Sequence, residues 1–273
     1  MDGADPRLLD LSVFESIREF ARWQEGSLCT EEDGILLVAG GSDSPLGYAN
    51  CAARVDPETP AELVLDRAQR FFGDQDRGFT LWTRVPADED LEKAARARGL
   101  TLASESPWMV LSSKLEAKPL ADGARLVLVT DQTGVADAAA VNREAYQSLA
   151  FPANDVDALY ACPSRMLSPI TSVFVIYRED RPVATAMTLH TAGVGGVYWV
   201  GTRETDRARG YGEACTRAAA NAGFEAGARV VTLQATRMGE SLYRRLGFRT
   251  VAAHRWLLAT SAKAMGVVTL LVA

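Results

Sequence analysis

The stretch that decides the fold is residues 201–223, GTRETDRARGYGEACTRAAANAG, which joins an apolar run to a long Ala-rich helix. The first N–H groups of a helix have no partner within it, and the helix dipole makes that end positive. Gly210 and Gly212 leave the backbone bare there, and Arg207 and Arg209 supply forked donors for phosphate oxygens. The loop therefore predicts a binding site for a pyrophosphate group.

This loop differs from two widespread phosphate-binding motifs. It contains no GxxxxGK[ST], so it is not a P-loop. It contains no GxGxxG, and the strands before it have the turn signals of an antiparallel meander rather than a parallel βαβ unit. The pyrophosphate site therefore belongs to a different kind of fold.

The second half of the chain predicts strands and helices around the loop. The predicted strands are ARLVLVT (124–130), SVFVIYRED, RPVATAMTLHTAG, GVGGVYWVGT, RVVTLQAT and RTVAAHRWLLAT. The predicted helices are 131–149, with Asp131 or Thr133 as N-cap, DVDALYACPSRML, the helix after the loop to about Gly227, and GESLYRRLGF, which ends at Gly247. The segment GVVTLLVA at 266–273 also has the composition of a strand.

The first 115 residues repeat this pattern in a weaker form. The segment ARARGLTLASESPWMVL aligns with YRRLGFRTVAAHRWLLA at a constant offset of 148, so that Gly99 matches Gly247 and Trp108 matches Trp256. The helix TPAELVLDRAQRFFGDQ is predicted to start with Thr59 as N-cap. The polar segment 112–124 is the expected linker, which divides the chain into domains 1–115 and 116–273.

The order of strand, RxxGxG loop, long helix, strand, short helix with LYRRLGF and strand resembles the GNAT superfamily of N-acetyltransferases. Residues 207–212 match the superfamily's acetyl-CoA pyrophosphate motif, and SLYRRLGF (241–248) matches its second signature. The resemblance covers about 124–260. It implies an α/β (α+β) fold of two tandem GNAT-like domains, each a mixed, mostly antiparallel sheet flanked by helices, the first being a degenerate copy.

The resemblance also implies roles for individual residues. The strand residues Val200, Gly201 and Thr202 match the backbone that pairs with the pantetheine arm of acetyl-CoA. The loop residues expected to hold the pyrophosphate are Arg207, Ala208, Arg209, Gly210, Tyr211, Gly212 and Glu213. Tyr243, on the short helix, matches the acid that protonates the departing thiolate, and a phenol is protonated at neutral pH.

The first half departs from this pattern where the chemistry lies. After the strand GYANCAARV it has DPETPAELVL, with Asp56 and Glu58 near the start of a helix, where carboxylates repel a pyrophosphate. The position that matches Tyr243 is Ala95. Only the second half is therefore predicted to bind acetyl-CoA.

The sequence leaves the general base open. His190 is a candidate, although a lone histidine on a strand is more often structural, and Glu144 and Tyr146 are candidates for the acceptor site. Water can also carry the amine proton. Arg237 occupies the position where many relatives have an asparagine. The sequence does not decide whether its side chain contacts CoA or is solvated. Trp82, Trp108, Trp199 and Trp256 all lie in predicted strands and are expected in the core.

Composition excludes several other classes of function. The chain has 273 residues and a formal net charge of −6, which does not suit a protein that coats nucleic acid. Four cysteines and two histidines form no metal-binding spacing, so no metal is expected. No apolar run is long enough to cross a membrane, and MDGADPRLLD has no apolar leader, so a cytoplasmic location is expected.

These observations predict an acetyl-CoA-dependent N-acetyltransferase that acts on the amine of a small molecule. Two alternatives remain open, a protein acetyltransferase for lysine or N-terminal amines and a non-catalytic acyl-CoA-binding sensor. A monomer is slightly favoured over a homodimer, because a tandem pair can make internally the sheet contact that single domains make as dimers.

Overall fold

The strands of the protein form one mixed sheet in a computed structural model, which describes residues 5–45, 47–120, 123–149 and 151–260. The strands are β1 Leu28–Glu32, β2 Ile35–Ala39, β3 Asn50–Arg54, β4 Phe79–Val85, β5 Thr101–Leu111, β6 Arg125–Leu128, β7 Thr171–Arg178, β8 Arg181–Thr191, β9 Val194–Thr202, β10 Val230–Gln234 and β11 Arg249–Ala259. The helices are α1 Pro6–Trp23, α2 Ala61–Gly73, α3 Glu89–Ala97, α4 Gln132–Gln147, α5 Ala153–Leu159, α6 Pro163–Met166, α7 Tyr211–Glu225 and α8 Glu240–Arg245.

The two halves of the chain exchange their last strands. In the described residues the sheet has the order β1-β2-β3-β4-β11-β5-β10-β9-β8-β7-β6. Strand β5, from the first half, lies between β11 and β10, and β11, from the second half, lies between β4 and β5. The exchange covers the edges that β4 and β10 would otherwise present to solvent. The predicted mixed, mostly antiparallel sheet flanked by helices is confirmed, and the two halves share it.

The strand exchange follows the repeat seen in the sequence. Strands β5 and β11 begin and end at residues separated by the same offset of 148. The pairing between the two strands is symmetric. Trp108 of β5 pairs with Ala252 of β11, and Ser104 of β5 pairs with Trp256 of β11, where Trp256 matches Trp108 and Ala252 matches Ser104 in the repeat. The pair Ser106–His254 lies at the centre of this local two-fold relation. The division at residues 115 and 116 stays a prediction, because the shared sheet draws no boundary there.

The same repeat is visible in the turns before the exchanged strands. Gly99 and Gly247 both follow a helix with φ of +87° and +93°, a conformation that glycine adopts without strain. The residues after them, Leu100 and Phe248, are both buried. The matched glycines therefore perform the same chain reversal in each half.

The helix boundaries agree with the sequence-based prediction in one place and differ from it in two. Asp131 caps α4 by accepting a hydrogen bond from the Gly134 N–H, as predicted. Thr59 does not cap α2; Pro60 is the N-cap, and the Thr59 hydroxyl donates instead to the Asp33 carbonyl. The helix predicted for DVDALYACPSRML is two helices, α5 and α6, separated by a turn.

Two further points concern the chain as a whole. The strand predicted at 266–273 lies outside the described residues. Among the described helices, none combines the length and the apolar character needed to span a membrane.

Helix α1 ties the first half to the second. It packs against β8 and β9, and its residues Phe20 and Trp23 join a core cluster with Tyr198 and Trp199 of β9. Tyr48, from the first half, packs on the same cluster with its ring 4.6 Å from that of Phe20. The face of β9 is therefore covered by residues from both halves.

Candidate active site

A cleft opens between β9 and β10. These two parallel strands pair only from Val194–Val230 to Gly196–Thr232, and β10 then continues against β5. Strand β9 runs on to Thr202 without a β10 partner in the described residues, and its other edge remains paired with β8. The second half of β9 thus offers a free backbone edge, the kind of edge to which an extended ligand adds as a strand.

A bulge in β9 lies at this free edge. The pairing with β8 shifts between Met187–Tyr198 and Thr185–Gly201, so Trp199 and Val200 together face one residue of β8. Trp199 has a φ of +52°, which is unusual for a bulky side chain and marks a strained position of the kind found at functional sites. The bulge therefore changes the local direction of β9 at Trp199 and Val200.

The loop that leaves β9 (residues 203–210, the motif loop) ends at the start of α7. Gly210 is the N-cap with φ of +81°, and a Cβ at this position would meet open space. Ala208 also has a positive φ, of +63°. No side chain among the described residues caps the first turn of α7. Uncapped N–H groups beside open space fit an anion such as the pyrophosphate of CoA.

A buried carboxylate fixes the motif loop to the sheet. Asp206 is 1% exposed and accepts hydrogen bonds from Arg178 at 3.2 Å and Arg181 at 2.7 Å. Burial acts to raise the pKa of Asp206, but Arg181, Thr205 and Arg178 outweigh it and hold that pKa below its usual value. Asp206 therefore stays ionised at neutral pH and anchors the loop to β7 and β8.

The charged residues of the motif make protein contacts. The Arg207 guanidinium donates to Ser148 Oγ at 2.7 Å and to the Ala145 carbonyl at 3.4 Å, at the end of α4. Glu213 accepts hydrogen bonds from Arg217 and Lys118. The hydrogen bond from Arg217 is the main cause that lowers the pKa of Glu213. Arg207 therefore links the motif loop to the end of α4. Its contact with phosphate, expected from the sequence, stays a prediction.

Tyr243 lies buried beside the cleft. It is 8% exposed and shares a core cluster with Val197 of β9, Tyr211 of α7 and Leu233 of β10. A Cβ at Gly239 would come within 2.7 Å of its ring, so glycine is required there for the ring to take this place. Burial raises the pKa of Tyr243 to about 12, so its phenol keeps its proton at neutral pH.

The candidates for the general base and for substrate binding, Glu144, Tyr146 and His190, fall in different places. Tyr146 packs on Trp199 with ring centroids 5.1 Å apart, and burial, with a smaller effect of the Tyr243 phenol, raises its pKa. Glu144 forms an ion pair with Arg203. His190 pairs with Gly195 near the turn of the β8–β9 hairpin, about 13 Å along the strand from the bulge. The structure thus brings Tyr146 to the cleft and leaves His190 apart from it.

The corresponding region of the first half is filled by its own side chains. Strands β3 and β4 also pair in parallel over a short stretch, ending at Ala53–Trp82. Beyond it, Asp88 is 1% exposed and binds both Arg54, at 2.9 Å to Nε, and Arg84, at 2.8 Å to Nε. Arg54 also donates two hydrogen bonds to the carboxylate of Asp90, one to each oxygen. This ion cluster takes the place that the open cleft has in the second half.

The start of α2 is closed as well. A Cβ at Gly34 would approach Thr59 Oγ1 at 2.4 Å and Asp56 Cβ at 2.5 Å, which shows how tightly the β1–β2 turn packs on this end of the helix. Asp56 Oδ1 accepts from the Glu58 N–H at 3.0 Å. Ala95, which matches Tyr243 in the repeat, is fully buried. The chain itself covers the helix end that an anion would need.

Sequence reasoning did not find three residues near the cleft. Asn142 of α4 places its Oδ1 where a Cβ at Gly201 would stand, and this oxygen has no hydrogen-bond partner in the described residues. Tyr48 and Asp155 line a small cavity that Trp199 also lines. No motif marks any of the three, because their positions depend on packing between segments that are far apart in the chain.

Other predictions about the composition can be compared with the structure. All four cysteines are free. Of the four tryptophans expected in the core, Trp82, Trp108 and Trp199 are buried and Trp256 is partly buried, and Trp199 also lines the cavity. In the described ranges, no group of three or more His, Cys, Asp or Glu side chains could hold a metal ion.

Comparisons with known proteins bear on the fold that carries this cleft. Residues 174–257 match the FR47-like protein family. A GCN5-related N-acetyltransferase from Kribbella flavida is similar at 21% identity and a TM-score of 0.70, with 97% of this chain and 99% of that chain covered. A GCN5-related N-acetyltransferase from Sphaerobacter thermophilus is similar at 16% identity and a TM-score of 0.64, covering 90% and 85% of the two chains.

A tandem GNAT protein from the clavulanic acid biosynthesis pathway is also similar, at 12% identity and a TM-score of 0.62, with 93% of each chain covered. No curated protein matches the sequence. At these identities the likeness concerns the fold, and it extends over both halves of the chain. The resemblance predicted from the motif loop is confirmed, and the chain has the fold of the GCN5-related N-acetyltransferases along almost its entire length.

Proposed function

We propose that the protein is an acetyl-CoA-dependent N-acetyltransferase that acetylates the amine of a small molecule by direct attack in a ternary complex. The observation that carries the proposal is the alignment of three features along one cleft. These are the free edge of β9, the uncapped start of α7 with Gly210 open to solvent, and the buried phenol of Tyr243.

Each feature suits one part of acetyl-CoA. The backbone of Val200, Gly201 and Thr202 can pair with the amides of the pantetheine arm. Residues 207–213 can hold the pyrophosphate through backbone N–H groups, with Arg207 and Arg209 adding positive charge. A backbone N–H at the β9 bulge can stabilise the negative charge that develops on the thioester oxygen.

Proton transfer follows from the same geometry. The attacking amine must be neutral, and the departing thiolate needs a proton. Burial raises the pKa of Tyr243 to about 12, so its phenol is protonated at neutral pH, and we assign it the role of supplying this proton. Strand β9 carries no carboxylate, so water is the simplest carrier of the amine proton.

Release of free CoA in the presence of a panel of amines, followed with a thiol reagent, tests the proposal. Tyr243→Phe is expected to lower kcat about 100-fold and to leave the KM for acetyl-CoA nearly unchanged, because a phenylalanine ring fills the same space. Tyr177→Phe is the matched control, since the Tyr177 hydroxyl donates to Asp137 on the other side of the sheet.

Three outcomes have different meanings. Full activity in Tyr243→Phe would remove this residue from the mechanism. Binding of acetyl-CoA without turnover on any amine would favour the acyl-CoA sensor. Acetylation of peptide lysines or N-termini in preference to small amines would favour the protein acetyltransferase.

The proposal extends to the organisation of the chain. Residues 116–273 hold the acetyl-CoA site, and residues 1–115 have lost theirs to the ion cluster of Arg54, Arg84 and Asp88. Calorimetry on the whole protein is therefore expected to give one CoA per chain, and two equivalent sites would contradict the assignment. The working form is proposed to be a cytoplasmic monomer without a metal, to be checked by light scattering and metal analysis.

A further inference from the structure

A groove of about 360 Å³ lies in the first half of the protein, at the end of β11. Its walls come from the end of α2, the start of β4, the turn between α3 and β5, and the last two described residues, Ala259 and Thr260. Phe72, Phe79 and Leu100 form its apolar part, and all three are buried. The described chain therefore leaves the sheet at this groove.

The internal repeat gives this groove a counterpart in the second half. The end of β11 pairs with the start of β4, as the end of β5 pairs with the start of β10. Gln69 and Asn221 lie four residues before the last residues of α2 and α7. Phe72 and Phe224 lie one residue before the same ends. The counterparts of the groove residues are therefore Asn221 for Gln69, Phe224 for Phe72, Val231 for Phe79, Phe248 for Leu100 and Leu111 for Ala259.

In the second half, the chain that follows β5 occupies the corresponding place. Leu115 packs, partly buried, on the core cluster that contains Phe248, and Phe224 packs on the same cluster. The Asn221 side chain accepts a hydrogen bond from the Leu115 N–H and donates one to the Leu115 carbonyl, both at 2.8 Å. The linker that begins at residue 112 thus fills the second-half counterpart of the groove.

The sequence beyond Thr260 suits the groove. It continues as SAKAMGVV at residues 261–268, with apolar side chains around a single lysine. The repeat offset of 148 matches Val268 with Leu120, which packs on the second-half core as Leu115 does. The same offset matches Lys263 with Leu115, and the aliphatic stem of a lysine can cover apolar surface while its ammonium reaches solvent.

Charge favours the same occupant. Helix α2 ends at Gly73 and is followed by Asp74, so the negative end of the helix dipole and a carboxylate attract a cation to this end of the groove. In the second half, Lys114 meets this need, since its ammonium pairs with Glu225 at the end of α7 at 3.3 Å. Lys263, the charged residue of 261–268, stands in the sequence one residue after the counterpart of Lys114.

We propose that the groove beside α2 is the docking site of residues 261–268 of the same chain, which run along α2 as the linker runs along α7. The exchange of the last strands thereby extends to the segments that follow them. The linker that leaves β5 binds the second half, and the segment that leaves β11 binds the first half. This contact holds the end of β11 in its place between β4 and β5.

Disulfide cross-linking in the whole protein tests the contact. Gln69→Cys is combined with Lys263→Cys, whose counterparts Asn221 and Leu115 are joined side chain to backbone, a separation that a disulfide spans. The two cysteines are expected to form a disulfide within one chain on mild oxidation.

Two features make the cross-linking specific. The accessible native thiols are removed by Cys29→Ser and Cys162→Ser. Arg70→Cys with Lys263→Cys is the matched control, because Arg70 is exposed on the same helix but does not line the groove. The control pair is expected to stay reduced under the same conditions.

A variant that fills the groove gives an independent measurement. Gly73 lines the groove, and a Cβ there would meet no atom of the described residues within 4 Å, so Gly73→Trp can place its ring in the groove without disturbing α2. In the wild type, the amides of 262–268 are expected to exchange hydrogen about 10-fold or more slowly than in a free peptide of that sequence. Gly73→Trp should remove this protection, and Arg70→Trp should keep it.

The outcomes decide the inference without reference to acetyl transfer. An intrachain disulfide in the Gln69–Lys263 pair, with protection that Gly73→Trp removes, would establish the docking. Exchange of the 262–268 amides at the peptide rate in the wild type, or equal cross-linking of the Gln69 and Arg70 pairs, would overturn it. Disulfides that form only between chains would also overturn it, because the groove would then bind a second copy of the protein.

Discussion

Gly210→Ala tests the pyrophosphate site most directly. Gly210 has φ of +81° at the start of α7, and a Cβ there would project into open space. An alanine in this conformation costs about 1–2 kcal/mol, of which about 0.4–1 kcal/mol is offset by the smaller entropy of its unfolded chain. The free energy of unfolding should therefore fall by about 1 kcal/mol.

The effect of the same substitution on CoA binding should be larger. The added methyl group occupies the space through which a phosphate would reach the N–H groups of α7. Loss of one charge-assisted hydrogen bond is worth about 1.5–3 kcal/mol, so the Kd for CoA should rise about 10- to 100-fold. Calorimetry with CoA measures this change.

Gly227→Ala provides a matched control at the other end of the same helix. Gly227 has φ of +93°, and a Cβ there would also meet no atom within 4 Å. The two variants should lose similar stability in urea unfolding, but Gly227→Ala should bind CoA like the wild type. Equal CoA affinity of the two variants would refute the assignment of the pyrophosphate to the start of α7.

Two further predictions concern stability. Asp88→Asn leaves Arg54 and Arg84 buried without their shared carboxylate, and it should lower the free energy of unfolding by about 3–5 kcal/mol. Asp90→Asn, at a carboxylate 61% exposed, should cost less than about 1 kcal/mol in the same urea titration, and similar losses in both variants would contradict this account. Burial lowers the pKa of His254 to about 3, so the unfolded chain binds a proton that the folded chain excludes between about pH 6.5 and 3. Stability should therefore fall as the pH is lowered through that range, and His254→Asn should weaken this pH dependence; an unchanged pH profile would show that other groups cause it.

The strand exchange changes how the first half is understood. A degenerate copy that merely lost its CoA motif would be dispensable for the chemistry. Here β5 pairs with both β10 and β11 in the sheet of the second half, and α1 covers β8 and β9. Removal of residues 1–115 would expose these surfaces, so the first half belongs to the folded unit that carries the cleft.

The local features of the site could be predicted from the sequence. The glycine positions of the motif loop, the long helix after it, the Asp131 cap and the matched glycines before β5 and β11 all depend on backbone conformation or on contacts between near neighbours in the chain. Such signals appear directly in residue order, since only a glycine or a capping side chain suits these positions at low cost. The sequence by itself therefore determined the fold family, the repeat and the candidate position of the pyrophosphate.

Only the tertiary structure decided which distant residues meet. The exchange of β5 and β11, the burial of Asp88 between Arg54 and Arg84, and the meeting of Asp155 with Ser42 and Trp199 each join segments that lie far apart in the sequence. No local propensity encodes such contacts, because a strand pairs equally well within its own half or with the other copy until side-chain packing distinguishes the two arrangements. The sequence thus indicated where acetyl-CoA is expected to bind, and the packing of the two halves decided which side chains surround that place.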